Sequence, residues 1–314
     1  MKRFTSIAAL TAALLTTAAC GDDTANGGAG ATTTAGGAGT SAPTTDPGTD
    51  GTEPMGDMPM AIISLAPTHT ETLFAIGAGD QVIAVDEFSN YPAEALAKPH
   101  ELSGYEPNVE AIAALNPDLV VLSDAAIQPQ LESLGIAVWV GPAAATFDDV
   151  YAEIEQLGAA TGHVAEAAEL VAQMQADIAA AVAGAPVPAE PLSLYHELDP
   201  TYYSVTSATF IGQVYELFGL TNIADGAEAG NDYPQLSAEY IIDAAPDLVF
   251  LADTKCCGES AETVSGRPGW NAIPAVANGH VVAMDDDISS RWGPRIVEYI
   301  AAVADALAKV PAGA

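Results

Sequence analysis

From residue 62 onward, short runs of Val, Ile and Leu alternate with segments whose apolar residues recur every three or four positions. The runs at 62–66, 82–86, 119–123 and 137–140 are short, continuous and apolar, the pattern of strands buried on both faces. The segments 70–76, 109–115, 126–134 and 148–157 carry helical spacing between or after them. Such alternation predicts a parallel α/β sheet whose ligand chemistry gathers at the C-terminal ends of the strands. A longer helix is expected over 163–182, where Val171, Met174, Ile178 and Val182 share a face and no breaker intervenes before Gly184-Ala185-Pro186. A second alternating set follows, with strands at 192–197, 248–252 and 281–284 and helices at 210–218, 238–244 and 295–309. The fold class is therefore α/β: two Rossmann-like lobes joined by one long helix, with a ligand cleft expected between them. The N-terminal lobe spans 59–161, the connecting helix 162–185 and the C-terminal lobe 186–314.

An internal repeat supports two related lobes. The stretch from Glu110 through Pro117, Asp118 and Leu119 to Asp124 recurs, without a gap and offset by 129 residues, from Glu239 through Pro246, Asp247 and Leu248 to Asp253. Each Pro-Asp pair ends a helix and turns the chain into the next strand. Asn108 and Ser237 are placed as helix N-caps, which puts Glu110 and Glu239 in first turns, where the helix dipole favours an anion. Their matched placement also admits a paired role, one glutamate per lobe.

The ends of the chain differ from its body. Lys2 and Arg3 precede an apolar stretch at 7–15 that is too short for a permanent membrane span, and small residues then lead to Cys20. This resembles a bacterial lipoprotein signal in which residues 1–19 are removed and Cys20 is lipidated. The usual Leu three residues before the cysteine is Thr17 here. Residues 20–58, rich in Gly, Thr, Ala and Pro, have the composition of a flexible linker. Charge narrows the function classes. The 314 residues hold 42 acidic side chains against 8 basic ones, a formal net charge of −34. A Lys/Arg face able to displace counterions from nucleic acid is out of reach, and so is a polybasic grip on anionic lipid. Yet 49% of the residues are apolar, so the chain can bury a core.

The segment Ile62-Ile-Ser-Leu-Ala-Pro67-Thr-His69-Thr-Glu71 through Gly77-Ala-Gly79 resembles the opening strand and helix of the periplasmic binding proteins for cobalamin, haem and iron–siderophores. The similarity runs from about Ile62 to Leu307. Closest to the cobalamin-binding members are Phe88-Ser-Asn-Tyr91-Pro, Tyr105 through Glu110, Tyr233-Pro-Gln-Leu-Ser-Ala-Glu239 and Arg291-Trp292-Gly-Pro294-Arg295. The resemblance implies a non-enzymatic receptor, held outside the cell membrane by lipid on Cys20. It would capture a bulky metal chelate, cobalamin or another corrinoid first, and pass it to an ABC permease with its cytoplasmic ATPase. It further implies that Phe88, Tyr105 and Tyr233 line the cleft, although two of these aromatics are Trp in the cobalamin receptor, and that Glu110 and Glu239 dock on arginines of the permease. Some haem-binding relatives use a Tyr and a His as axial ligands, which keeps Tyr105 with His196 open as an alternative. A surface scavenger or sensor without a permease is the reading from another class.

His69, in the turn after the first strand, lacks the converging partners of a metal site. His196 sits on a strand, where a satisfied core histidine is the ordinary role. Arg291 and Arg295 could meet an anionic group of a ligand or neutralise nearby aspartates, while Trp292 between them is a further cleft candidate. Asp285-Asp286-Asp287 lacks the Gly and distal Glu of a calcium loop. Cys256 and Cys257 leave a disulfide and a free thiol pair both open. The chain contains no GxSxG elbow, phosphate-binding loop or HExxH helix, and no resident metal or cofactor is expected.

Overall fold

The computed structural model describes residues 58–310. Cys20, its preceding signal and the linker to residue 57 lie outside the described residues. The chain first forms β1 (Ile62–Ser64), α1 (Pro67–Ala75), β2 (Val82–Val85), α2 (Val109–Ala114), β3 (Leu119–Leu122), α3 (Gln128–Ser133) and β4 (Ala137–Val140). Two long helices follow, α4 (Phe147–Thr161) and α5 (Val164–Gly184). The second half comprises β5 (Ser193–Glu197), α6 (Phe210–Glu216), β6 (Thr221–Asn222), α7 (Ala238–Ala244) and β7 (Leu248–Leu251). It ends with α8 (Ala261–Ser265), α9 (Pro274–Ala277), β8 (Val281–Ala283), α10 (Asp286–Ser290) and α11 (Ile296–Leu307).

Two parallel four-stranded sheets result, ordered β2-β1-β3-β4 and β6-β5-β7-β8, so the second half repeats the first's strand order. In each, the chain leaves the first strand to one side and returns to the other. Such a reversal opens a crevice at the strand C-termini. The expected strands are present, one or two residues shorter at several ends. β1 stops at Ser64 because Pro67 already occupies the first turn of α1. α4 extends beyond its expected limits: Thr146 and Asp149 cap its start reciprocally, and Gly162, at φ 82°, ends it. The two-residue β6 and the short helices α8, α9 and α10 were not expected, being too brief to show a period.

The repeated Pro-Asp pairs have a role beyond stopping a helix. Asp118 Oδ2 accepts hydrogen bonds from the backbone N–H groups of Met60 and Ala61 at 2.9 and 3.0 Å, just ahead of β1. Asp247 Oδ2 accepts from the Ser193 N–H and hydroxyl, both at 2.8 Å, at the start of β5. Each aspartate thus fixes the entry of the strand beside its own. Before each pair the backbone turns through a left-handed residue, Asn116 at φ 49° and Ala245 at φ 50°.

A central core spans both lobes. It joins Ile62, Leu73 and Val85 of the first with Leu194, Phe250 and Ile300 of the second, through Leu157 of α4 and Met174 of α5. Two satellite cores lie on the outer faces, around Ile112 and Leu131 in the first lobe and around Trp270 and Ile241 in the second.

Candidate functional site

The crevice expected at the strand ends is present. Leu65 and Ala66 after β1, Asp86 after β2 and Ser123 after β3 line a cavity of about 360 Å³, together with Phe88, Tyr105, Arg291 and Trp292. Past Trp292, a smaller cavity of about 90 Å³ is lined by Phe210 and Tyr299 of the second lobe and by Tyr233. Arg291 and Trp292 border both. Phe88 and Tyr233 are 56% and 53% exposed, and Tyr105 is 86% exposed. For rings of this size such exposure leaves apolar faces available to a partner. A further cavity of about 840 Å³ lies between α1, the segment from Tyr91 to Lys98, and the start of α11.

Arg291, which borders both cleft cavities, is held from across the lobe boundary. Glu71 of α1 is a buried carboxylate that takes both scarce arginines: Arg291 at 2.6 Å, and Arg295 through Nε at 2.9 Å and Nη2 at 2.7 Å. Arg291 also reaches Asp287 at 2.7 Å, Asn90 Oδ1 at 2.9 Å and the Phe88 carbonyl at 3.1 Å, and Asn90 closes the ring by donating to Asp287 at 3.0 Å. Arg295 additionally lies over the Tyr91 ring, 4.2 Å from its centroid. Between the two arginines, Trp292 donates its indole N–H to Glu153 of α4 at 3.3 Å. Burial pushes the Glu153 carboxyl up to about 7.

Several expected site residues fall elsewhere. His196 is fully buried and bonded through Nδ1 to the Tyr215 hydroxyl at 2.7 Å, so it does not reach the cleft and cannot serve as an axial ligand there. Burial alone lowers its pKa to about 3. His69 is likewise internal. Its Nε2 donates to the Gly141 carbonyl at 2.8 Å and its ring meets Trp139 edge-on. Arg291 lines the cleft but its charge is already matched by Glu71 and Asp287. Asp285-Asp286-Asp287 forms no calcium loop. Asp285 caps α10, and Asp286 accepts backbone N–H groups from Thr254, Lys255 and Cys256. This fastens the loop in which Cys256 and Cys257 are joined by a disulfide. Glu110 and Glu239 stand exposed in the first turns of α2 and α7, behind the caps Asn108 and Ser237. Helix N-termini in such units lie on the cleft side of each sheet.

Nothing in the sequence alone marks Glu71, Asp86 or Glu153 for a role. Glu71 stands out in hindsight as the only acidic residue of α1. Asp86 marks the end of a buried strand, a position where a carboxylate needs a reason.

These features agree with known proteins. Residues 62–288 match the family described as periplasmic binding protein. A cobalamin-binding protein of Halobacterium salinarum is 33% identical over 285 residues, covering 85% of this chain and 74% of that one. An uncharacterised ABC transporter substrate-binding lipoprotein of Bacillus subtilis, YvrC, is 30% identical over 259 residues, 79% of this chain and 80% of that one. Among solved structures, the periplasmic haem-binding protein RhuT of Roseiflexus sp. RS-1 superposes with a TM-score of 0.69 at 26% identity, covering 79% of this chain and 97% of that one. The chain belongs to the periplasmic binding protein family.

Proposed function

We propose that this protein is a lipid-anchored, extracytoplasmic receptor that captures a corrinoid in the cleft and delivers it to an ABC permease. The observation that carries the ligand class is the chemistry of the cleft walls. Phe88, Tyr105, Tyr233 and Trp292 offer aromatic surface to a large flat ligand. Among the described residues lining the two cavities, the single cation is Arg291, and it is already paired. A polyanionic siderophore, or a haem with two free carboxylates, would bring negative charge to acidic walls without a counter-charge. A corrin ring carries its periphery as amides and presents no such cost. The 33% identity to a cobalamin-binding protein supports the same choice.

Titration of the purified protein with cyanocobalamin, cyanocobinamide and haemin, followed by visible absorbance and tryptophan fluorescence, tests this. Saturable corrinoid binding is expected, and Tyr105→Ala and Tyr233→Ala should each weaken it by roughly 1–3 kcal/mol while the fold is retained. Tight haemin binding with no response to either corrinoid would overturn the ligand assignment. Anchoring is tested apart from binding: Cys20→Ser should move the protein from the membrane to the soluble fraction, and unchanged retention would refute the lipid.

A further inference from the structure

We propose that Asp86 is the polar specificity contact of the cleft, a carboxylate that accepts hydrogen bonds from amide or cationic groups of the ligand and turns away ligand carboxylates. This rests on the function proposed above. Asp86 follows β2 and lines the N-terminal cavity although it is almost wholly buried. Its two oxygens have different surroundings. Oδ1 is held by the Ser89 hydroxyl, which sits 2.7 Å from the Thr70 hydroxyl, itself 2.8 Å from Ser64 Oγ. Oδ2 makes no hydrogen bond among the described residues and is directed along Gly104, where any Cβ would collide with it. Gly104 lines the same cavity, and a side chain there would press on Oδ2.

A chain of hydroxyls links Asp86 to the end of β1. Each hydroxyl has one proton to donate. With Asp86 protonated on Oδ1, every donor points inward: Asp86 to Ser89, Ser89 to Thr70, Thr70 to Ser64, and Ser64 to the Ala66 carbonyl at 3.4 Å. With Asp86 ionised, Ser89 donates to the carboxylate, while Thr70 donates to Ser64. The charged groups around Asp86 are Glu87 beside it in the chain and Arg291 and Asp287 from the opposite lobe, with Tyr105 lining the same cavity. Burial pushes the carboxyl up to about 6, with Ser89 and Arg291 opposing the rise and Glu87 adding to it. Above that pH the cleft wall presents an acceptor and a negative charge; below it, a neutral acid.

The two ligand chemistries therefore respond to pH with opposite signs. Binding isotherms for cyanocobinamide, whose corrin periphery is amide-bearing, and for haemin should be measured at pH 7.5 and pH 5 for the wild type and Asp86→Asn. The variant has the same shape and no ionisation, and circular dichroism verifies its fold. Wild-type affinity for cyanocobinamide should fall by roughly tenfold on acidification, while Asp86→Asn should stay level. Haemin, measured relative to the variant to remove titration of its own carboxylates, should bind the wild type better at pH 5 than at pH 7.5. Cyanocobinamide binding with the same pH profile in both proteins would overturn the assignment of Asp86 and leave the corrinoid reading standing. If haemin alone binds, the corrinoid reading falls, and the Asp86 inference is still judged by whether the haemin pH response disappears in the variant.

Discussion

Single buried charges account for much of how this molecule should respond to its surroundings. Asp253, two residues beyond β7, is fully buried, and neither carboxylate oxygen has a hydrogen-bond donor among the described residues. Burial, with Glu197 and Glu259 nearby, pushes its pKa up to about 7. Arg267 does not relieve it, being engaged with Glu197 at 2.6 Å and Glu259 at 2.8 Å and resting on Trp270. A carboxyl whose folded pKa exceeds its unfolded value stabilises the fold below the unfolded pKa and loses that contribution as pH rises to the folded one. Here the loss runs from about pH 4 to about pH 7. Asp253→Asn should therefore raise the melting temperature at pH 8, by roughly 1–3 kcal/mol of stability, and change it little at pH 4. An equal shift at both pH values would show that the proton is not responsible. None of this is visible in the sequence, where Asp253 is merely the counterpart of Asp124. Glu71 was equally hidden, because the residue that engages it at 2.6 Å, Arg291, lies 220 positions away. His196 misled for the opposite reason: its residue type suggests a ligand, whereas its strand position buries it.

At the scale of elements, local signals served well wherever a cap or period was present. The helix Ala238–Ala244 begins behind Ser237 as expected, and α2 begins behind Asn108. What the pattern could not supply was contact across elements. The repeated Pro-Asp reads as punctuation, yet each aspartate ties the strand that opens its lobe to the strand that follows the helix. Asp247→Ala should cost roughly 1–2 kcal/mol by releasing the Ser193 N–H and hydroxyl. Asp118→Ala, at a more exposed site, should cost less. Chemical denaturation of the two variants measures both, and equal or negligible losses would remove the aspartates from the account of strand register.

For the whole molecule, the two-lobed fold follows from alternation and repeat together, and the family resemblance extended that to a receptor. The docking role of Glu110 and Glu239 is a proposal that rests on their equivalent, exposed positions at the two helix N-termini. A carboxylate in each lobe gives a permease two directional contacts for an arginine. The double variant Glu110→Arg, Glu239→Arg should keep ligand affinity within a few-fold of wild type and impair reconstituted transport. Replacing a first-turn glutamate costs only about 0.3–1 kcal/mol of helix stability, so folded protein remains to be assayed. Normal uptake by the double variant would end the docking role.

The central core has a consequence for how the protein is made. Its residues come from both lobes, and α11, the last helix, supplies Ile296, Ile300, Val303 and Leu307 to it. The first lobe therefore cannot cover its inner face when its own sequence is complete. That face stays open while α5 and the second lobe are synthesised and closes only when α11 arrives. A nascent chain of this kind needs protection against aggregation until α11 emerges, and a truncation before α11 would unsettle the N-terminal lobe as well as the one it belongs to.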